Sequence, residues 1–255
     1  MLDLHVHLLG HLDREATPEN IGEFLDRAQA LGLKQIGFAD HDTYWENLNF
    51  ELIRKRAKDY PQLQVRVGLE VDYREGKEEE INKMINSYPF DYIIGSVHQI
   101  GDWCFDFSEE EPKHWQWEAD DLYRAYFRLV EKAAASGLFD IIGHLDLIKI
   151  YKVRPRTDVR VLAARALEAV KDCDLVLEIN TNGRYKPVQE FYPEYKLVEL
   201  ASRMEILFTL GSDAHAAPYV GRDIKEACQW LNELGVKKIV GFKERRMEKF
   251  DLQDV

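Results

Sequence analysis

Seven short apolar runs in this chain each end in, or just before, a side chain that can bind metal or carry a proton. The runs lie at 2–6, 35–39, 65–71, 92–97, 140–143, 175–179 and 206–210. The residues at their ends are His5 and His7, Asp40 and His41, Glu70, His98, His144, Glu178 and Asn180, and Asp213 and His215. Between the runs lie helical patterns. Thr17-Pro18 reads as an N-cap with proline at the first helical position, and Gly32 closes that helix. Further helical periods span 120–136, 158–171 and 222–234, the first ending at Gly137 and the last at Gly235. Regular βα alternation predicts a parallel sheet covered by helices. A β/α barrel builds its site from many strand ends, whereas an open doubly wound sheet uses one crevice and fewer strands. Seven contributing strands therefore predict an α/β fold of closed or nearly closed barrel type. An eighth run, 238–242, carries no such residue and leaves two places for itself, closing the barrel or outside it.

The length of 255 residues, 45% of them hydrophobic, suffices for one sizeable core and suits one barrel domain over 1–255. The net charge of −12 argues against nucleic acid and anionic membranes as partners. An anionic small substrate stays open, because bound cations can outweigh the local protein charge. Cys104, Cys173 and Cys228 are widely spaced and read as ordinary thiols of a reducing compartment. With no leader pattern and no apolar run near the ~18 residues of a membrane span, a cytoplasmic protein is expected. A monomer or homodimer is expected.

Imidazole is the commonest metal ligand, and seven of the eight histidines sit in strand-end contexts; only His114 does not. His5-Val-His7 places two imidazoles on one side of a strand, where they can share an ion. Glu70 and Asp213 add oxygen ligands, a mix that suits Zn²⁺, Fe²⁺ or Mn²⁺. Seven histidines and two carboxylates exceed what one tetrahedral ion takes and suit two or three ions.

The chain resembles the PHP (polymerase and histidinol phosphatase) superfamily. The matching motifs are Asp3-Leu-His-Val-His7, Phe38-Ala-Asp-His-Asp42, Gly68-Leu-Glu-Val-Asp72, Gly95-Ser-Val-His98, Gly143-His-Leu-Asp146 and Gly211-Ser-Asp-Ala-His215. They run in family order across almost the whole chain. The histidinol-phosphatase branch is the nearer match, through Asp106-Phe107, Glu178-Ile-Asn-Thr-Asn-Gly183 and Lys186-Pro187. The resemblance implies a distorted, TIM-like (β/α)7 barrel with the metal site at the C-terminal ends of its strands. It implies a first ion on His5, His7, Glu70 and Asp213, and a second on Glu70, His98 and His144. A third would rest on His11, His41 and His215. Asp3, Asp40 and Asp146 would orient imidazoles.

The implied reaction is phosphomonoester hydrolysis by a hydroxide between two ions, with histidinol phosphate the leading substrate. Asp213, His215 and Glu70 are the catalytic expectations, the first two as proton carriers. Cationic anchors for the phosphate are expected among Lys149, Arg154, Arg184 and Lys186, with Arg156 the weakest. Another phosphate ester, a nucleotide or sugar phosphate, is the alternative substrate, and a non-catalytic metal-binding module the alternative role. Trp103, Trp115 and Trp117 beside Glu109-Glu-Glu111 read either as packing for a long loop or as a rim for a cationic amine. Asp40-His-Asp-Thr-Tyr44 nearly matches an aspartate-nucleophile phosphatase motif, but that mechanism gives the surrounding histidines no place.

Overall fold

The computed structural model describes residues 1–252. Its strands are β1 (Leu2–Val6), β2 (Gln35–Phe38), β3 (Gln64–Asp72), β4 (Tyr92–Ser96), β5 (Gln99–Ile100), β6 (Trp103–Cys104), β7 (Ile141–Ile142), β8 (Val176–Asn180), β9 (Leu207–Gly211), β10 (Lys238–Lys243) and β11 (Arg246–Asp251). Its helices are α1 (Pro18–Ala30), α2 (Phe50–Ala57), α3 (Glu78–Ile85), α4 (Glu111–His114), α5 (Ala119–Ala135), α6 (Val159–Asp172), α7 (Tyr195–Arg203) and α8 (Ile224–Glu233).

Seven strands form one sheet in the order β1-β2-β3-β4-β7-β8-β9. Every neighbouring pair is parallel. Spatial order follows chain order throughout, so the sheet curls one way instead of reversing at a switch point. Its two ends meet: Val6 bridges Ala214, and the His7 amide donates to the Ala214 carbonyl at 2.9 Å. The result is the nearly closed seven-stranded barrel that the strand count predicts. The junction lies at the C-terminal end, beside the histidines.

Strand ends agree with the apolar runs to within a residue or two. The run at 140–143 pairs only over Ile141–Ile142, because the backbone turns at His144, where φ is +23°. Helix α1 starts where Thr17 accepts the Asn20 amide at 3.1 Å, satisfying one of the open donors of the first turn.

The interior below the site is filled by Tyr92. Its hydroxyl donates to the Leu4 carbonyl at 2.6 Å. A Cβ on Gly68 would lie 2.4 Å from its ring, and one on Gly37 would lie 1.9 Å from its hydroxyl. The two glycines on β2 and β3 leave the ring its space.

The eighth run lies outside the barrel sheet. As β10 it pairs antiparallel with β11, and the pair closes the opposite mouth. Phe242 donates to Gln35 Oε1 at 3.0 Å and accepts from Arg66 Nε at 2.6 Å. Glu244 and Arg245 donate to Asp91, at the start of β4. These contacts hold the strand starts, at the end of the barrel away from the histidines.

Candidate metal centre

The strand ends converge on Glu70. His41 Nδ1 lies 2.9 Å from Glu70 Oε2, and His5 and His7 Nε2 lie 3.4 and 3.6 Å from the same oxygen. His144 and His98 Nε2 lie 2.9 and 3.5 Å from Oε1. One carboxylate thus faces two sets of imidazoles with its two oxygens, the geometry of a bridging ligand. Asp213 Oδ1 joins the first set, 3.1 Å from His7 Nε2 and 4.0 Å from His5 Nε2. Strand parity explains the convergence: His5 and His7 share one face of the chain, as do Glu70 and Asp72 on β3.

Three groups bring ligand atoms within 4.8 Å of one another: His5, His7 and Glu70; Glu70, His98 and His144; and His7, His41 and His215. The second is the expected second set, and the first is the expected first set without Asp213. In the third, His7 stands where His11 was expected. His11 is exposed at the rim, its ring 4.4 Å from that of His215 and 5.7 Å from that of His41.

The donor set fits divalent metal. His5 Nε2, both ring nitrogens of His7, Glu70 Oε2, His144 Nδ1 and His215 Nε2 are buried and have no hydrogen-bond partner. Buried polar atoms of folded proteins are normally paired. Unpaired nitrogens on four imidazoles clustered around an unpaired carboxylate oxygen make a site for cations.

The electrostatics agree. Burial would raise the pKa of Glu70, but His5, His41 and His98 outweigh it and hold the carboxyl well below its usual range. Asp213 is likewise held low against burial by His5, His7 and His215. Burial would lower His5, but Glu178, Glu70 and Asp213 raise it well above the usual imidazole value. His98 is raised in the same way by Asp72 and Glu70. Burial and the neighbouring His215 and His41 push His7 well below it. In the metal-free chain, protons on His5 and His98 balance the carboxylates; metal would take their place.

Two carboxylates orient imidazoles, and neither is among the three expected. Glu178 Oε1 takes His5 Nδ1 at 2.7 Å, and its Oε2 accepts the His144 amide at 2.8 Å. Asp72 Oδ1 takes His98 Nδ1 at 2.5 Å. Asp3, Asp40 and Asp146 touch no imidazole. Asp3 accepts from Ser212 and Gly221, and Asp40 from the amides of Leu8 and Leu9. Asp146 accepts from Lys149 and the Glu194 amide. They tie down backbone around the site. Burial raises Asp3 to about 6 and Asp40 to about 7. Asp72 follows Glu70 on the same face of β3, a parity signal that could have found it; Glu178 is the corresponding side chain of β8. Asn180 and Asn182 reach Asp213 Oδ2 at 3.4 and 3.2 Å.

The expected phosphate anchors fall in different places. Lys149 is fully buried, bonded to the Phe191 carbonyl at 2.7 Å and Asp146 at 2.9 Å. Arg154 is held by Glu190 and Glu194, and Arg184 makes a two-pronged pair with Glu226 at 2.5 Å. Among the described residues, Arg156 has only its backbone amide engaged, by Asp120. Lys186 is exposed and makes no ion pair among the described residues, and its charge contributes to lowering the pKa of His11. Arg222, absent from the sequence-based candidates, lies over the rings of Tyr185 and Tyr219 at 3.4 and 4.6 Å and bonds Asn182 at 3.0 Å. Trp103 is buried against His114 and Trp117 and packs its loop, while Trp115 is exposed.

Residues 3–182 match the model of the PHP domain. The chain belongs to the PHP family. It is 36% identical to a probable histidinol-phosphatase of Deinococcus radiodurans, over 96% of each chain. It is 27% identical to the histidinol-phosphatase of Lactococcus lactis, over 97% of this chain and 96% of that one. Among solved structures it resembles the histidinol phosphate phosphatase of L. lactis complexed with zinc, L-histidinol and phosphate. There the TM-score is 0.78 and the identity 26%, covering 97% of this chain and 98% of that one. The barrel of the PHP family is thus the fold found here. No helix of the described residues is long and apolar enough to cross a membrane.

Proposed function

We infer that this protein is a metal-dependent phosphomonoesterase that hydrolyses histidinol phosphate to histidinol and phosphate. The observation that carries the chemistry is the bridging position of Glu70, whose two oxygens face two sets of imidazoles. The substrate rests on the full-length likeness to histidinol-phosphatases and to the L. lactis structure with L-histidinol and phosphate.

His5, His7, Glu70 and Asp213 would hold one ion, and Glu70, His98 and His144 a second. His41 and His215, with His7 or His11, would hold a third. Zinc, manganese and iron all suit the nitrogen-rich set. Bound there, the ions supply charge to the phosphoryl oxygens and acidify the attacking water. Asp213 acts as an anionic ligand, since Oδ1 faces His5 and His7 and Oδ2 takes Asn180 and Asn182. Proton handling then falls to His215 in the two-ion form, where it holds no metal. Burial lowers its pKa and keeps it neutral near pH 7, and its Nδ1 donates to the Asp213 carbonyl at 3.0 Å. Its Nε2 lone pair is therefore turned into the site.

The phosphate meets Lys186 and Arg222 at the loops after β8 and β9. Arg222 offers a planar guanidinium held between two tyrosine rings, suited to a phosphoryl group. Lys149, Arg154 and Arg184, already engaged by carboxylates, shape these loops. The test is phosphate release from histidinol phosphate by chelator-stripped protein before and after adding back zinc, manganese or iron. Release that depends on the metal supports the reading; none with any metal refutes it.

A further inference from the structure

His11, His41 and His215 sit on three separate loops, after β1, β2 and β9. Their rings nevertheless gather at the rim. The His11 ring lies 4.4 Å from that of His215 and 5.7 Å from that of His41, and His41 and His215 are 6.0 Å apart. Two side chains outside the ligand set tie these loops together. The Arg14 guanidinium donates through Nη1 to the His215 carbonyl, joining the β1 loop to the β9 loop. The Tyr44 hydroxyl donates to the Gly10 carbonyl at 2.7 Å, joining the β2 loop to the β1 loop one residue before His11. The Tyr44 ring also stands edge-on to His41, 5.7 Å between centroids. Asp13 completes the tie: its Oδ2 lies 3.5 Å from Arg14 Nη2, and its Oδ1 accepts the His11 amide at 3.2 Å.

The segment between the two ties is tightly wound. Gly10 and Leu12, on either side of His11, are both left-handed, with φ of +62° and +64°. A leucine that is 52% exposed keeps that conformation only where its surroundings impose it. A Cβ on Gly10 would meet Asp13 Oδ1 at 2.1 Å and Arg14 Nη1 at 3.0 Å, so turn and ties pack as one unit. The first two ligand sets have a different support. His5 lies within β1, and carboxylates on β8 and β3 orient His5 and His98. The rim set depends on the loop, and the residues that close the loop decide whether the set forms.

We propose that Arg14 and Tyr44 are positioning residues that latch the His11 loop over His41 and His215, and so set the occupancy of the third ion. This rests on the three-ion reading of the centre above. With the latch closed, His215 and His41 hold an ion. With the latch open, two ions remain and His215 carries protons.

The experiment loads wild type, Arg14→Met, Arg14→Lys and Tyr44→Phe with excess manganese, desalts them and counts the metal retained. Titration of metal-free protein gives the affinity of each class of ion, and circular dichroism checks the fold. Arg14→Met removes the guanidinium, Arg14→Lys restores one donor, and Tyr44→Phe removes a single oxygen. Wild type is expected to retain three ions, and Arg14→Met and Tyr44→Phe two. The weakest ion should lose roughly 10–100-fold in affinity, as when other orienting partners of metal ligands are removed, while the two tighter ions keep theirs. Arg14→Lys should recover part of the loss. Wild-type content and affinity in both Arg14→Met and Tyr44→Phe overturn the proposal. Equal weakening of all three ions overturns it too, since the two residues would then support the whole mouth. Two ions in wild type refute the three-ion reading and the latch with it. Phosphate release from histidinol phosphate, read on the same samples, separates the catalytic reading: three ions and no release in wild type sink that reading and leave the latch to its metal counts.

Discussion

His5 Nδ1 lies 2.7 Å from Glu178 Oε1, with both side chains 1% exposed. The bond fixes the imidazole's orientation and leaves Nε2 as its free ligand atom toward Glu70. Glu178 also needs space: a Cβ on Gly211 would sit 2.1 Å from its Oε1. A glycine on β9, a carboxylate on β8 and a histidine on β1 therefore form one unit across the barrel junction.

Glu178→Gln and Asp72→Asn should each lower metal affinity or kcat/KM by roughly 10–100-fold with the fold intact. Each keeps side-chain shape and removes the negative charge behind an imidazole. Metal titration and circular dichroism check this. Wild-type affinity in both variants would show that the two carboxylates only pack.

Metal binding should release protons at pH 7. His5 and His98 are raised well above 6.5, so they are protonated in the metal-free protein and must give up their protons to become ligands. Affinity should therefore rise with pH through the neutral range. Calorimetry in buffers of different ionisation enthalpy reads the released protons directly. The same shifts set the pH dependence of metal-free stability. The contribution of His5 and His98 is full below 6.5 and is lost as pH rises through their elevated values. That of Glu70, lowered from 4.5, is full above 4.5 and is lost as pH falls through its depressed value. Those three contributions are all present between about 4.5 and 6.5, whereas His7 and His215, both lowered from 6.5, contribute fully only above 6.5 and lose that contribution as pH falls.

Gly68→Ala should destabilise the barrel without touching the site's chemistry. The added methyl would lie 2.4 Å from the ring of Tyr92, whose hydroxyl is pinned to Leu4. Overpacking of this kind costs about 1–3 kcal/mol. Urea denaturation should show that loss, while kcat of the folded protein stays within about twofold.

The barrel and most of the metal centre were legible because strand-end histidines carry two signals at once, apolar patterning and ligand chemistry. What stayed hidden depended on contacts between distant parts of the chain. Asp3, Asp40 and Asp146 look like imidazole partners beside their histidines, yet each reaches backbone amides or a lysine. Glu178, 173 positions from His5, does the orienting instead. Lys149 reads as a loop cation until burial removes it from solvent. Strand β11 escaped notice because Glu244-Arg245 turns the hairpin with φ of +50° and +63° at both positions. Such turns usually carry Asn-Gly or Asp-Gly. Arg222 sat at the start of a helical pattern, and only the fold stacks it on Tyr185 and Tyr219.

The most direct test of the central claim is the kcat/KM of the metal-replete protein for histidinol phosphate, a nucleoside monophosphate and a sugar phosphate, with His98→Ala alongside. A strong preference for histidinol phosphate that disappears in His98→Ala is the predicted result. Equal activity on all three, or activity that survives loss of His98, would contradict it.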